Sequence, residues 1–251
     1  MSTTSLAIEC NAVKKSFGNV NALKGATISA RPGEVTAIVG DNGAGKTTLI
    51  KCIAGVYQPD EGEIRINGES VTFDSPESAR VAGIETVYQN LSLVEDLTIW
   101  QNLFLNREIT KNLGVVKILN RAKMREESEA MLKKLDVYIP SVRSRTRGLS
   151  GGQRQAVAIC RAVGWGSKVV IMDEPTAALG ARETMKVEEL IKKMKAQGLA
   201  ILLISHNFEQ VLRLSDHIFV MRQGDVIAGM RTKDTTGDEL VALITGSAKR
   251  G

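Results

Sequence analysis

The sequence predicts an α/β fold organised around a buried parallel sheet, and three observations carry that expectation. Near-continuous apolar runs recur at Val35–Val39, where Thr36 is the one polar residue, Val169–Met172 and Leu199–Ile204, the signature of strands covered on both faces. Between the last two runs, Val187, Leu190, Ile191 and Met194 fall at i, i+3, i+4 and i+7, the stripe of an amphipathic helix. The chain has 251 residues, 43% of them hydrophobic, enough for one sizeable core but small for two. Aromatic residues make up only 4%, which disfavours an all-β sandwich or an aromatic stacking surface.

The first third reads as strands and tight turns. Ile28–Ala30 ends at Arg31-Pro32-Gly33, a turn signal, and the Val35–Val39 run follows. Ile64 and Ile66 alternate with Arg65, and Asn67-Gly68 supplies the positive-φ residues of a hairpin, so an antiparallel patch should lie beside the parallel core. The middle is helical. Thr98 and Gln101 make a capping box ahead of Ile99, Trp100, Leu103 and Phe104; a second helix covers roughly 121–135, and a third follows Gly152. In the last third, Gly198 stands where a helix stop belongs, a helix is expected around Val211–Leu214, and Gln223-Gly224 marks another hairpin.

Composition narrows the function classes. The formal charge is +5, and much of the excess lies between Arg121 and Arg147, where eight Lys/Arg meet four acids. So diluted a cluster reads as a solvated helical face, not a nucleic-acid footprint. Cys10, Cys52 and Cys160 are widely spaced and odd in number, so neither a zinc site nor a disulfide framework is indicated, and a reducing compartment fits. The longest apolar runs are far shorter than the roughly twenty residues of a membrane span. Residues 1–7 lack both a basic start and a leader-like apolar stretch. The expectation is a soluble intracellular chain whose membrane role, if any, comes through a partner.

Gly40-Asp41-Asn42-Gly43-Ala44-Gly45-Lys46-Thr47 matches G-x-x-x-x-G-K-[ST], placed after a strand and before a helical run that includes Thr48. The glycines let successive backbone N–H groups curl around a phosphate, and the helix behind them points its positive end at the same group. Lys46 offers a full charge to the β/γ oxygens, and the Thr47 hydroxyl is a hard ligand for Mg²⁺. The Val169–Met172 run ends in Asp173 and Glu174, which should emerge beside the cradle because ligands sit beyond the C-terminal strand ends of such sheets. Asp173 is the natural metal partner; Glu174 can polarise an attacking water, work typically worth about 10²–10⁴ in rate. Ser150-Gly151-Gly152-Gln153 is a second glycine-rich turn opening a helix, 23 residues before Asp173.

Taken together, these parts closely resemble the ATP-binding cassette (ABC) ATPases, in the family's order and over essentially the whole chain. Phe17, the cradle at 40–47, Gln89 after Val87-Tyr88, the signature turn at 149–153, the acidic strand end at 169–174, and His206 after Ile204-Ser205 carry the likeness. It implies a P-loop NTPase of ABC ATPase fold: one nucleotide-binding domain with core 1–88 and 166–251 and a helical subdomain at about 89–165. By position, Phe17 should stack on adenine, Gln89 should reach Mg²⁺ and the attacking water, and His206 should contact the γ-phosphate. His217 is read as structural. In this family Ser150–Gln153 of one subunit covers the γ-phosphate held by the other, so two ATP molecules are sandwiched in a head-to-tail homodimer that opens on hydrolysis. The chain departs from the family's Ser-Ala-Leu-Asp with Ala177-Ala178-Leu179-Gly180, which puts cross-talk between the two sites in doubt.

Gly180, the cradle sequence and the run from Tyr88 to Leu105 look like ATPases of bacterial sugar importers of the ribose/xylose/fructose type. That likeness implies integral-membrane permease subunits, an indirect solute-binding protein and a cytoplasmic, membrane-peripheral location. Ribose, xylose, fructose and a polyol all remain open. Leu91, Leu93, Trp100 and Phe104 either line a groove for a permease helix or face the protein's own interior. The rival function is a soluble non-transport ABC ATPase, such as an iron–sulfur cluster assembly ATPase. DNA-repair members are excluded because only 101 residues separate Thr47 from Leu149, too few for their long coiled coil. A module that binds ATP without hydrolysing it conflicts with the presence of Glu174.

Overall fold

The structure, a computed structural model, describes residues 6–113 and 116–247, so the reading of the N-terminal segment falls largely outside the described residues. The chain opens with β1 (Ile8–Phe17) and β2 (Val20–Ala30), then β3 (Val35–Val39) and helix α1 (Lys46–Ile53). A hairpin of β4 (Glu61–Ile66) and β5 (Glu69–Val71), helix α2 (Pro76–Val81) and β6 (Ile84–Val87) follow. The middle holds α3 (Ile99–Leu103), the small hairpin β7 (Thr110–Leu113) and β8 (Val116–Leu119), α4 (Arg121–Lys134) and α5 (Gly151–Val163). The last third runs β9 (Val169–Asp173), α6 (Ala181–Ala196), β10 (Ala200–Ile204), α7 (Phe208–Leu214), β11 (His217–Arg222), β12 (Asp225–Arg231) and α8 (Gly237–Thr245).

The central sheet has the order β12-β11-β3-β10-β9-β6, with β12 antiparallel at one edge and every other neighbouring pair parallel. Its apolar runs divide by parity. Val170, Met172, Ile201 and Leu203 face the core shared with α3, α4, α5 and α6, while Val169, Ile171, Leu202 and Ile204 face the core shared with α1 and the antiparallel sheet. A side-chain period of two on a sheet wetted on neither face produces this division. The antiparallel sheet, ordered β2-β1-β4-β5, packs as the expected second layer, with Asn67 and Gly68 at positive φ in its hairpin.

The basic residues between 121 and 147 lie on exposed or half-exposed positions while Met124, Ser128 and Leu132 turn inward, the solvated face expected of them. Phe104 is 1% exposed and packs edge-on against Trp165 with centroids 5.0 Å apart, so the docking-groove reading fails for it. Leu91, Leu93 and Trp100 are partly buried against the same core. The capping box at Thr98 explains why: it starts a five-residue helix whose Ile99 and Leu103 turn toward the sheet and carry Phe104 with them.

Candidate active site

Four neighbouring parallel strands end on one open cleft of about 1010 Å³. β3 delivers the 40–47 loop, β6 delivers Gln89, β9 delivers Asp173 and Glu174, and β10 delivers His206; Gly40–Thr48, Gln89, both acids and the histidine all line the cleft. A parallel sheet makes this convergence unavoidable, because all its strand ends of one polarity lie along one edge.

The loop's backbone is shaped by glycine where no other residue fits. Gly45, the N-cap of α1, has φ +104, and a Cβ there would come 2.8 Å from the Ala22 carbonyl oxygen. A Cβ on Gly40 would meet the Met221 carbonyl oxygen at 2.2 Å. No side chain caps α1. Its first N–H groups therefore face the cleft, together with the helix's positive end. Lys46 folds over the loop and donates to the Gly40 and Asp41 carbonyls at 2.6 and 2.8 Å. Burial holds its ammonium below the usual lysine range, opposed by Glu174, Asp41 and Asp173. The two backbone carbonyls are weak neutral acceptors for a cation, and polyphosphate oxygens would compete well for it.

Across the cleft, burial and the neighbouring Glu174 charge raise the Asp173 carboxyl above the ordinary range, against Lys46 and Lys51. Glu174 sits at φ +50, a left-handed conformation that costs a non-glycine residue about 1 kcal/mol or more. Its N–H donates to the Ile204 carbonyl at 2.9 Å, and its Oε1 lies 2.8 Å from His206 Nδ1. The carboxylate is 17% exposed and the imidazole 74%, so the pair presents a shielded acceptor and a solvent-exposed partner.

Two predicted groups lie elsewhere. Phe17, 43% exposed, is not among the residues lining the cleft; it packs edge-on against Tyr57 at 5.1 Å, with the Lys15 ammonium 5.7 Å from its ring centre. Ser150–Gln153 lie outside this cleft too. Ser150 caps α5 in a reciprocal box with Gln153, and the Gly152 N–H donates to Glu183 at 3.2 Å. A Cβ on Gly151 would lie 3.1 Å from Leu179 in the loop that follows β9, and one on Gly152 would lie 3.0 Å from the Glu183 side chain at the start of α6, so the turn packs closely on both. His217 begins β11 at the opposite end of the strands, 3.5 Å from Arg31, in keeping with its structural reading.

Sequence reasoning passed over part of the cleft wall. Val20, Asn21, Ala22 and Lys24 on β2, and Gln223 in the β11–β12 turn, line it as well. The Gly224 N–H bonds the Ala44 carbonyl, and the Lys24 N–H bonds the Gly224 carbonyl, so turn and strand buttress the loop. These contacts are long-range pairings with no local signal.

A glycine-rich loop between a parallel strand and a helix, facing two strand-end carboxylates, defines a P-loop nucleoside triphosphatase. Residues 23–177 match the family model described as ABC transporter, and the chain belongs to that family, as an ATP-binding and ATP-hydrolysing cassette. It is 45% identical to the xylose/arabinose import ATP-binding protein XylG of Sulfolobus acidocaldarius over 96% of this chain and 94% of that protein. It is 48% identical to the fructose import ATP-binding protein FrcA of Rhizobium meliloti, over 93% and 91%. Against the galactose/methyl galactoside import ATP-binding protein MglA of Clostridium perfringens, identity is 37% over 98% of this chain, which spans only 47% of that protein. Among solved structures, the ATP-binding cassette MJ1267 of an ABC transporter superposes with a TM-score of 0.84 at 28% identity, covering 97% of this chain and 98% of that one. The iron–sulfur assembly alternative finds no support among these relatives.

ATP with Mg²⁺ is the family's nucleotide and ion, and the donors present fit them. Thr47, Gln89 and Asp173 offer only hard oxygens. Among the described residues no group of three or more His, Cys, Asp or Glu forms a metal cage. No helix among the described residues is long and apolar enough to cross a membrane.

Proposed function

We propose that this chain hydrolyses ATP to energise a membrane importer of a monosaccharide. Two copies would work head to tail against integral-membrane permease subunits on the cytoplasmic face, with a solute-binding protein delivering sugar on the other side. The observation that carries the catalytic part is the convergence of Lys46, Thr47, Gln89, Asp173, Glu174 and His206 on one cleft. The likeness to xylose/arabinose and fructose import proteins supports the sugar class.

In this reading, loop N–H groups and the Lys46 ammonium hold the β- and γ-phosphates, with Thr48 beside them. Thr47, Gln89 and Asp173 would hold Mg²⁺, which would supply neutralisation of the phosphates' negative charge. Glu174 accepts a proton from the attacking water as its oxygen bonds to the γ-phosphorus. The bond from that phosphorus to the bridging oxygen breaks, and ADP leaves with the electron pair. His206, against Glu174, steadies the carboxylate and reaches the γ-phosphate. Phe17, braced by Tyr57, carries adenine, and Ser150–Gln153 of the second copy close over the phosphate.

Glu174→Gln tests this directly. Turnover should fall by about 10²–10⁴. With ATP present, the variant should run near twice the 27.2 kDa of one chain on a sizing column with light scattering. Wild-type phosphate release by the variant would remove Glu174 from the chemistry.

A further inference from the structure

Behind the cleft lies a buried polar network that the hydrolytic reading does not use. Gln210, on α7, is 0% exposed, yet it is four residues past His206 in a segment that carries no phosphate-binding signal. The Glu188 carboxylate can only accept hydrogen bonds, which fixes how the amide is oriented. Gln210 Nε2 donates to Glu188 at 3.3 Å and to Thr176 Oγ1 at 3.0 Å, while its Oε1 accepts from Ser205 Oγ at 3.1 Å. Ser205 Oγ in turn accepts from the Asn207 N–H at 3.1 Å. Glu188, its side chain 6% exposed, is anchored by Arg213 through bonds of 2.5 and 3.0 Å.

The two hydroxyls on this one amide have telling neighbours. Thr176 lies two residues after Glu174, and Ser205 lies one residue before His206. Glu174 is held in the left-handed region, a conformation that persists only where its surroundings over-determine it. Two restraints are visible on the main chain: the Glu174 N–H bond to Ile204 and the Ala177 N–H bond back to the Glu174 carbonyl. The Thr176 hydroxyl is the side-chain restraint on the same turn, and Gln210 ties it to the loop that carries the histidine.

We propose that Gln210, with Thr176 and Ser205, is a positioning device that fixes the Glu174 carboxylate relative to His206, so that the two loops move as one unit. The inference rests on Glu174 being the group that takes the water's proton. Gln210 touches no reacting atom, and its effect is exerted through the turn.

Thr176→Val keeps the shape and deletes the hydroxyl, with Thr176→Ser as the conservative rescue. The full chain should bind ATP with a Kd within about twofold of wild type, because the cradle is untouched, while kcat falls about tenfold or more. Thr176→Ser should restore kcat. Ser205→Ala should reproduce the loss, and combining it with Thr176→Val should add little, since both cut the same link. In a Glu174→Gln background, single-turnover rates should be indifferent to Thr176→Val. A wild-type kcat for Thr176→Val, failure of the serine rescue, or the same fold-loss with Glu174 already removed would each overturn the positioning role. A Glu174→Gln protein of wild-type turnover would instead overturn the catalytic reading beneath it, so the two failures are distinguishable.

Discussion

The chain opens two helices with glycine-rich turns, and it treats them oppositely. At α1 the N-cap is Gly45, no side chain caps it, and the positive end of the helix faces a wide cleft. At α5 the N-cap is Ser150, locked in a reciprocal box with Gln153, and the Gly152 N–H is taken by the Glu183 carboxylate. One end has no side-chain cap; the other is closed by the chain's own groups. The N–H groups that open α1 thus carry no side-chain cap, whereas at α5 the Gly152 N–H already has a carboxylate partner. On the proposed head-to-tail pairing, Glu183 would compete with the incoming phosphate for the Gly152 N–H.

The largest effect should come from the open end. Lys46→Ala removes the ammonium folded over the loop, leaving the Gly40 and Asp41 carbonyls without it. ATP affinity should fall by at least about 100-fold, as expected for losing a charge-assisted contact worth roughly 3 kcal/mol. Equilibrium binding of a fluorescent ATP analogue measures it. A wild-type dissociation constant would break the distinction between the two helix ends at its first point.

Glycine substitution sharpens the contrast. Gly45→Ala must place a Cβ at φ +104, 2.8 Å from the Ala22 carbonyl oxygen, so strain and backbone overlap add to a loss of about 3 kcal/mol. Gly152→Ala has no such φ and meets only the stem of Glu183 at 3.0 Å. There the gain of about 1 kcal/mol in helix propensity largely offsets the crowding, leaving a net change within about 1 kcal/mol. Urea unfolding of both variants gives the two numbers. Equal losses would mean that the two turns are built alike.

What was legible in the sequence follows the same division between local and distant causes. The buried runs, the Gly198 stop, the Asn67-Gly68 and Gln223-Gly224 hairpins and the capping box at Thr98 are local and fall where expected. β1 was missed because a bulge near Ala12, at φ +50, breaks the period-two alternation between Cys10 and Val13. α8 carried readable marks, Thr236 and Glu239 in a capping box ahead of buried Leu240 and Ile244, that were passed over. For the candidate site, the residues at strand ends were legible because a parallel sheet gathers them. Gln210, Glu183 and the β2 wall were not, since the partners that give them their place lie far off along the chain, as in Gly152 to Glu183 at a separation of 31 and Gln210 to Thr176 at 34. Nothing near them in sequence marks the partner.

The finest test of the closed end is its pH dependence. The Gly152 N–H, then the Ser150 hydroxyl, hold the Glu183 carboxyl below its usual range, against burial, with the Gly180 N–H and Lys186 helping. The folded value therefore lies under the unfolded one, so the stabilisation is fully present above the ordinary value of 4.5 and is lost as pH falls through the folded value. Glu183→Gln keeps the shape without the charge. Its urea midpoint should lie below wild type at neutral pH, with the gap narrowing as both are taken below about pH 4. In a Glu174→Gln background the same change should lower the ATP concentration needed to form the dimer, because no resident carboxylate then opposes the incoming phosphate. A gap that stays constant across the acid range would mean that the charge does nothing at Gly152, and the closed end would owe its closure to Ser150 and Gln153 alone.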